Sequence, residues 1–186
     1  YYADLLGTPA NTVWIDVESP FHADQLQVHI VNQISTRFVH RQASLEPIVQ
    51  LIARQFGERP GNYLAFFSSF DYLQQVAQLL AERHPHITLW SQSRGMGETQ
   101  RQDFLDQFTM HSQGIGFAVL GGAFGEGIDL PGARLIGAFI ATLGLAQFNP
   151  VNEQLKHRMA AIFGAGYDYA YLFPGVQKVV QAAGRV

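Results

Sequence analysis

The stretch GGAFGEGIDLPG, residues 121–132, sets five glycines, two acids and one proline directly behind the apolar run IGFAVL. Glycine at that density marks backbone that turns sharply, or approaches another molecule, at the end of a strand. The two carboxylates, Glu126 and Asp129, have no histidine or metal-ligand partner nearby in the sequence. They either cap turns and backbone amides or need a partner from elsewhere to do acid–base work. Ser68 and Ser69 close a second apolar run, NYLAFF, where hydroxyls can bind phosphate without reading sequence or cap the next helix. TRFVHR gathers Arg37, His40 and Arg41 within a few residues, either as a patch that tracks a nucleic-acid backbone or as a solvated face.

None of these segments is a complete phosphate site. A Walker A loop requires G-x-x-x-x-G-K-[ST], and neither Lys156 nor Lys178 stands in that setting. A dinucleotide fingerprint requires G-x-G-x-x-G opening a helix; GEGIDL supplies only the first two glycines, and Pro131 interrupts a helix after them. GMGETQ, GIGFAV and GAGYDY fail in the same way. The chain alone is therefore expected to hold a nucleotide weakly. Seven histidines show neither H-x₃-H nor HExxH spacing, so no metal site is expected. The absence of cysteine rules out disulfides and thiolate ligation in these 186 residues.

The elements that must position these residues alternate between apolar runs and amphipathic stretches, the pattern of βαβ units around a parallel sheet. Strands are expected at 11–21, 62–70, 86–92, 114–120 and 133–145. Helices are expected at 43–56, 72–84, 97–111, about 150–162 and from about Pro174, with Ser69 or Asp71 capping the second. Trp14 and Trp90 fall in expected strands and read as core. In open parallel sheets ligands bind beyond the carboxyl ends of the strands, which is where Ser68, Ser69 and the 121–132 loop stand. Length suits one domain, 1–186, and a net charge of −3 gives no global basic field. No apolar run reaches the roughly 20 residues of a membrane span.

Read with three further segments, the glycine loop becomes specific. GGAFGEGIDLPG resembles motif V of superfamily 2 helicases in the form used by the XPD/DinG-like branch, and QKVVQAAGRV (177–186) resembles that branch's motif VI. GNYLAFFSSFDYLQQV (61–76) resembles its motif IV region, and ESPF (18–21) its first strand. The four occur in the family's order. The resemblance implies the second, C-terminal RecA-like motor domain of a DNA helicase, a three-layer α/β domain with a mostly parallel central sheet flanked by helices. It implies a piece of a longer chain, in a bacterial cytoplasm and nucleoid-associated.

The resemblance also assigns roles. Arg185 takes the place of the first motif VI arginine, which faces the ATP γ-phosphate, and the sequence stops before the second. Gln181 would couple the site to the lobe interface, and Gly184 would let backbone approach closely. Gly127 and Asp129 match the family's Gly-Ile-Asp, whose acid faces the ribose or the motif VI arginine; Glu126 would brace the loop. Gly121 and Gly122 would bring amides to a DNA phosphate beside Ser68 and Ser69, with Arg37 and Arg41 as the basic patch. Gly125 departs from relatives that carry serine or tryptophan there.

ATP with Mg²⁺ would be held mainly by a first RecA-like lobe carrying Walker A and B, and any iron–sulfur cluster would belong to that lobe. The implied partners are that lobe and single-stranded DNA, with no membrane. The implied activity is ATP-dependent 5′–3′ unwinding in DNA repair, by the parent chain and not by this piece alone. The alternative is a RecA-like module that binds DNA or protein without turnover.

Overall fold

The computed structural model describes residues 2–18, 22–125 and 128–186. The chain divides into two units, Tyr1–Val31 and Asn32–Val186. In the first, helix α1 (Tyr2–Leu6) ends where Gly7 adopts a left-handed φ of 60°, and Thr8 donates to the Ala3 carbonyl from both N and Oγ1. A single 3-10 turn, Ala23–Gln25, comes next.

The expected strand at 11–21 does not form over described residues 11–18, and Ser19, Pro20 and Phe21 lie outside the described residues. Val13, Ile15 and Val17 are exposed, and Trp14 is 63% exposed rather than core. Alternating apolar residues make a strand only where a neighbour supplies the ladder, and among the described residues no strand pairs with this segment.

The second unit is built on four parallel strands: β1 (Asn62–Phe67), β2 (Thr88–Ser91), β3 (Gly114–Val119) and β4 (Gly137–Ile140), in the order β2-β3-β1-β4. Asn62 pairs with Gly114 and Phe67 with Val119, while Tyr63 pairs with Gly137. All six residues of β1 are buried, as a central parallel strand covered on both faces requires.

Side chains alternate between two cores. Tyr63, Ala65, Phe67, Ile115 and Phe117 face helices α2 (Arg41–Glu58) and α3 (Phe70–Arg83). Those helices answer with Leu45, Ile48, Val49, Ile52 and Phe56, and with Leu73, Val76 and Leu80, both at helical spacing. Leu64, Phe66 and Ala118 face the other way, against Phe104 of α4 (Glu98–Leu105), Phe108, and Ala182 of α6 (Phe173–Ala183). Between them in sequence, α5 (Pro150–Phe163) is capped by Asn149, whose side chain accepts from the Asn152 amide. Tyr171, in the π-helical turn Asp168–Leu172, donates to Glu153 of α5 at 2.8 Å, and Lys156 also bonds that carboxylate.

Of the expected elements that form, all four strands and the 97–111 helix are shorter than their patterns, and two fall furthest short. The 97–111 helix stops at Leu105 because hydroxyls take the backbone donors. Thr109 N donates to Ser112 Oγ at 2.8 Å, and Ser112 N to Thr109 Oγ1 at 3.0 Å. The 133–145 strand narrows to Gly137–Ile140 because β1, its one neighbour among the described residues, runs out at Phe67. At the other extreme α2 overruns its pattern at both ends, passing through Gly57 to Glu58.

Candidate functional site

The carboxyl ends of the strands gather most of the residues singled out from sequence. After β1, Ser68 and Ser69 divide their roles. Ser69 Oγ accepts from the Tyr72 amide at 3.3 Å and is the N-cap of α3, while exposed Ser68 accepts from Arg41 Nη2 at 2.7 Å. Arg41 begins α2, so helix and strand bring together two residues separated by 27 positions. Its Cζ lies 5.0 Å over the Phe38 ring and 5.2 Å over that of Tyr72. Arg37 caps the 3-10 turn Phe38–His40 and is exposed; His40 Nδ1 bonds Ser35 Oγ instead of joining the patch.

Tyr72 supports this corner from below. Its hydroxyl bonds Ser44 Oγ at 2.5 Å, and its ring meets Phe67 edge-on. Burial pushes the Tyr72 hydroxyl above its ordinary value, against the opposing pulls of the Ser44 bond and the Arg41 charge. The phenol therefore stays neutral as a base for the cation above it.

After β3 the chain turns at once. Gly121 has a φ of 80°, a left-handed value open to glycine but strained for other residues, and Gly122 N bonds back to the Val119 carbonyl. Gln92, just after β2, accepts from the Val119 amide at 2.8 Å and so fixes the start of the turn. A Cβ on Gly121 would meet Lys178 Nζ at 3.5 Å, placing the ammonium directly over the turn. Gly175 lets α6 reach this position, since a Cβ there would stand 2.7 Å from the Leu143 carbonyl. Among the described residues Lys178 makes no hydrogen bond or ion pair.

Further along the loop, Arg185 Nη1 donates to the Ile128 carbonyl at 3.1 Å, and its Nε is buried without a partner. Asp129 is exposed next to that carbonyl and makes no hydrogen bond among the described residues. Glu126 and Gly127 lie outside the described residues. Gln181 is half-buried on α6, and Gly184 closes that helix; a Cβ on Gly184 would meet nothing but the helix's own carbonyls. Helix α6 thus brings Lys178 over the start of the loop, and Arg185, two residues past the end of that helix, bonds the loop further on.

A model of the helicase C-terminal domain matches residues 52–186. The chain belongs to that family. The fold of this helicase domain is similar to a solved structure named XPD_APO, with TM-score 0.64 and 13% identity, over 82% of this chain and 31% of that one. A second, XPD_Helicase, gives 0.62 and 14% over 82% and 27%. The expected helicase C-terminal domain is borne out, and so is its RecA-like α/β fold, which is similar to that of the two XPD structures. The domain spans less than a third of the length of either structure.

Sequence reasoning passed over Lys178, Gln92 and Phe38. Lys178 was detectable as part of one helical face, because 178, 181 and 185 recur at helical spacing. Phe38 carried no such signal, since an aromatic beside arginines reads equally as core. Among the described residues, no helix is long and apolar enough to cross a membrane.

Proposed function

We propose that this helicase domain is the second motor lobe of an ATP-dependent DNA helicase, completing an ATP site opposite a first lobe while gripping single-stranded DNA. The observation that supports it is the course of α6, which meets the glycine loop with one cation at its start and another, Arg185, beyond. An unpaired ammonium over a tight backbone turn suits a phosphate of the strand. A guanidinium with an idle donor suits a phosphoryl group in transfer. Nucleotide-driven closure of the lobes would release Arg185 from the Ile128 carbonyl toward the γ-phosphate, where arginine stabilises developing charge. Asp129, exposed beside it, would take the ribose or the freed guanidinium.

Mg²⁺ would be held mainly by the first lobe with the β- and γ-phosphates, as the XPD/DinG-like resemblance implies. The 5′–3′ polarity and a role in repair belong to the same proposal, through the XPD/DinG-like resemblance.

One observation favours the alternative, a RecA-like module without turnover. The Arg185 bond to Ile128 is also what a purely bracing arginine would make. Hydrolysis of ATP by the full parent protein, with and without single-stranded DNA, separates the two. Turnover stimulated by DNA, and lost by a factor of about 10³–10⁵ in Arg185→Ala with ATP still bound, supports the motor. A parent that hydrolyses nothing supports the module.

A further inference from the structure

Phe38 is 80% exposed on the short turn that leads into α2. The ring is nonetheless held in place. Arg41 lies over both it and Tyr72, Tyr72 is bonded to Ser44 and packed edge-on against Phe67, and Phe67 stacks on Phe117 with rings 6° from parallel. A linked series of planar groups therefore runs from the core to an open aromatic face.

Among the described residues, neither arginine of this corner, Arg37 or Arg41, is ion-paired, whereas Arg54, Arg83, Arg94 and Arg101 each pair with a carboxylate. Arg41 places one of its five N–H donors on Ser68 and leaves its Nε without a partner. An open ring with the Arg41 guanidinium over it, exposed Arg37 next to it in sequence and a strand-end hydroxyl bonded to Arg41 asks for a ligand that is flat and apolar at one point and anionic nearby. A nucleotide of an unpaired strand has that form. In a duplex the base faces are already stacked on one another and cannot be offered.

We propose that Phe38 stacks an unpaired base of single-stranded DNA, while Arg37, Arg41 and Ser68 hold the adjoining phosphate. This rests on the DNA-gripping role proposed above and adds a base contact to it. Stacking tolerates any base, because every base has a π-face, so the contact grips the strand without selecting sequence.

The test uses the full parent protein, titrated by fluorescence anisotropy with an oligothymidylate and with a strand of the same length made of abasic residues. Phe38→Ala should weaken binding to the oligothymidylate about tenfold, the effect of one lost base stack, with an unchanged salt dependence. Phe38→Trp should retain wild-type affinity, and all three proteins should bind the abasic strand alike. Because the ring is exposed, the thermal midpoint of Phe38→Ala should match wild type. Equal affinity of Phe38→Ala and wild type for the oligothymidylate overturns this inference alone. So does equal weakening on both strands, or a loss of DNA-independent ATP hydrolysis with strand affinity intact, which would place Phe38 against the other lobe. A wild type that binds no strand overturns the DNA-gripping role, and this contact with it.

Discussion

Arg185 Nη1 stands 3.1 Å from the carbonyl oxygen of Ile128, joining the last turn of the chain to the glycine loop across 57 residues. The bond needs a single N–H; Nε is buried without a partner, and the remaining donors of the guanidinium are left to a ligand or to solvent.

A lysine in place of Arg185 should separate the two uses of this side chain. Its ammonium can reach a carbonyl but cannot form a planar fork on phosphate oxygens. Arg185→Lys should therefore keep most thermal stability, while Arg185→Ala loses about 1 kcal/mol, or roughly 2–4 °C in melting temperature. Both should lose ATP turnover in the parent chain. Steady-state hydrolysis beside a thermal melt reads the two effects. Wild-type turnover by the lysine variant would mean that Arg185 only braces the loop.

Arg41 and Ser68 share one hydrogen bond but should differ in salt dependence. Removing the charge in Arg41→Ala should flatten the slope of log K against log salt by about 0.7 for a single strand. Ser68→Ala should weaken binding a few-fold and leave the slope alone. Titrations of single-stranded DNA at several salt concentrations measure both. Equal slopes for Arg41→Ala and wild type would take Arg41 off the phosphate backbone.

Gly121 holds its turn at φ 80° beneath Lys178. Alanine there should cost about 1–2 kcal/mol from backbone conformation alone, read as a lower urea midpoint with an unchanged slope. Its methyl group would stand in ordinary contact with the lysine side chain, so a fall in single-strand affinity should follow from the altered turn and not from a displaced ammonium. A stability equal to wild type would show that the turn readily leaves its left-handed geometry.

Glu153 gives a pH signature. The bond from Lys156 and then that from Tyr171 hold its carboxyl below the usual carboxylate range. Burial and then the Glu153 carboxylate push the Tyr171 hydroxyl above its own. For an acid with a depressed folded value, the stabilisation is present above the unfolded value of about 4.3 and is lost as pH falls through the folded value. The stability gap between wild type and Glu153→Gln should thus be widest near neutrality and close in acid. Urea midpoints across that range measure it, and a gap independent of pH would remove Glu153 from the acid response.

The sheet was legible because β1 and β3 are nearly unbroken apolar runs bounded by glycine or serine, a local property of the chain. Ser69 as a cap was legible for the same reason, since the bond closes within three residues. Arg41 meeting Ser68, and α6 lying along the loop, depend on crossovers that no local pattern encodes. The failure at 11–18 is of the same kind. Val13, Ile15 and Val17 alternate as a strand should, yet pairing is a property of two segments, and among the described residues no second segment meets this one.

The topology of β1 also has a consequence during synthesis. Among the described residues it forms ladders with β3 and β4 alone, so Asn62 waits for Gly114 and Tyr63 for Gly137. A chain emerging from its N-terminus therefore carries a largely apolar strand with no partner until α3, β2 and α4 have all been made. Such non-local pairing slows folding and leaves the edge open to other chains. The nascent domain should lean on chaperones until β3 arrives, and every contact at the strand ends should appear together, late, in a single step.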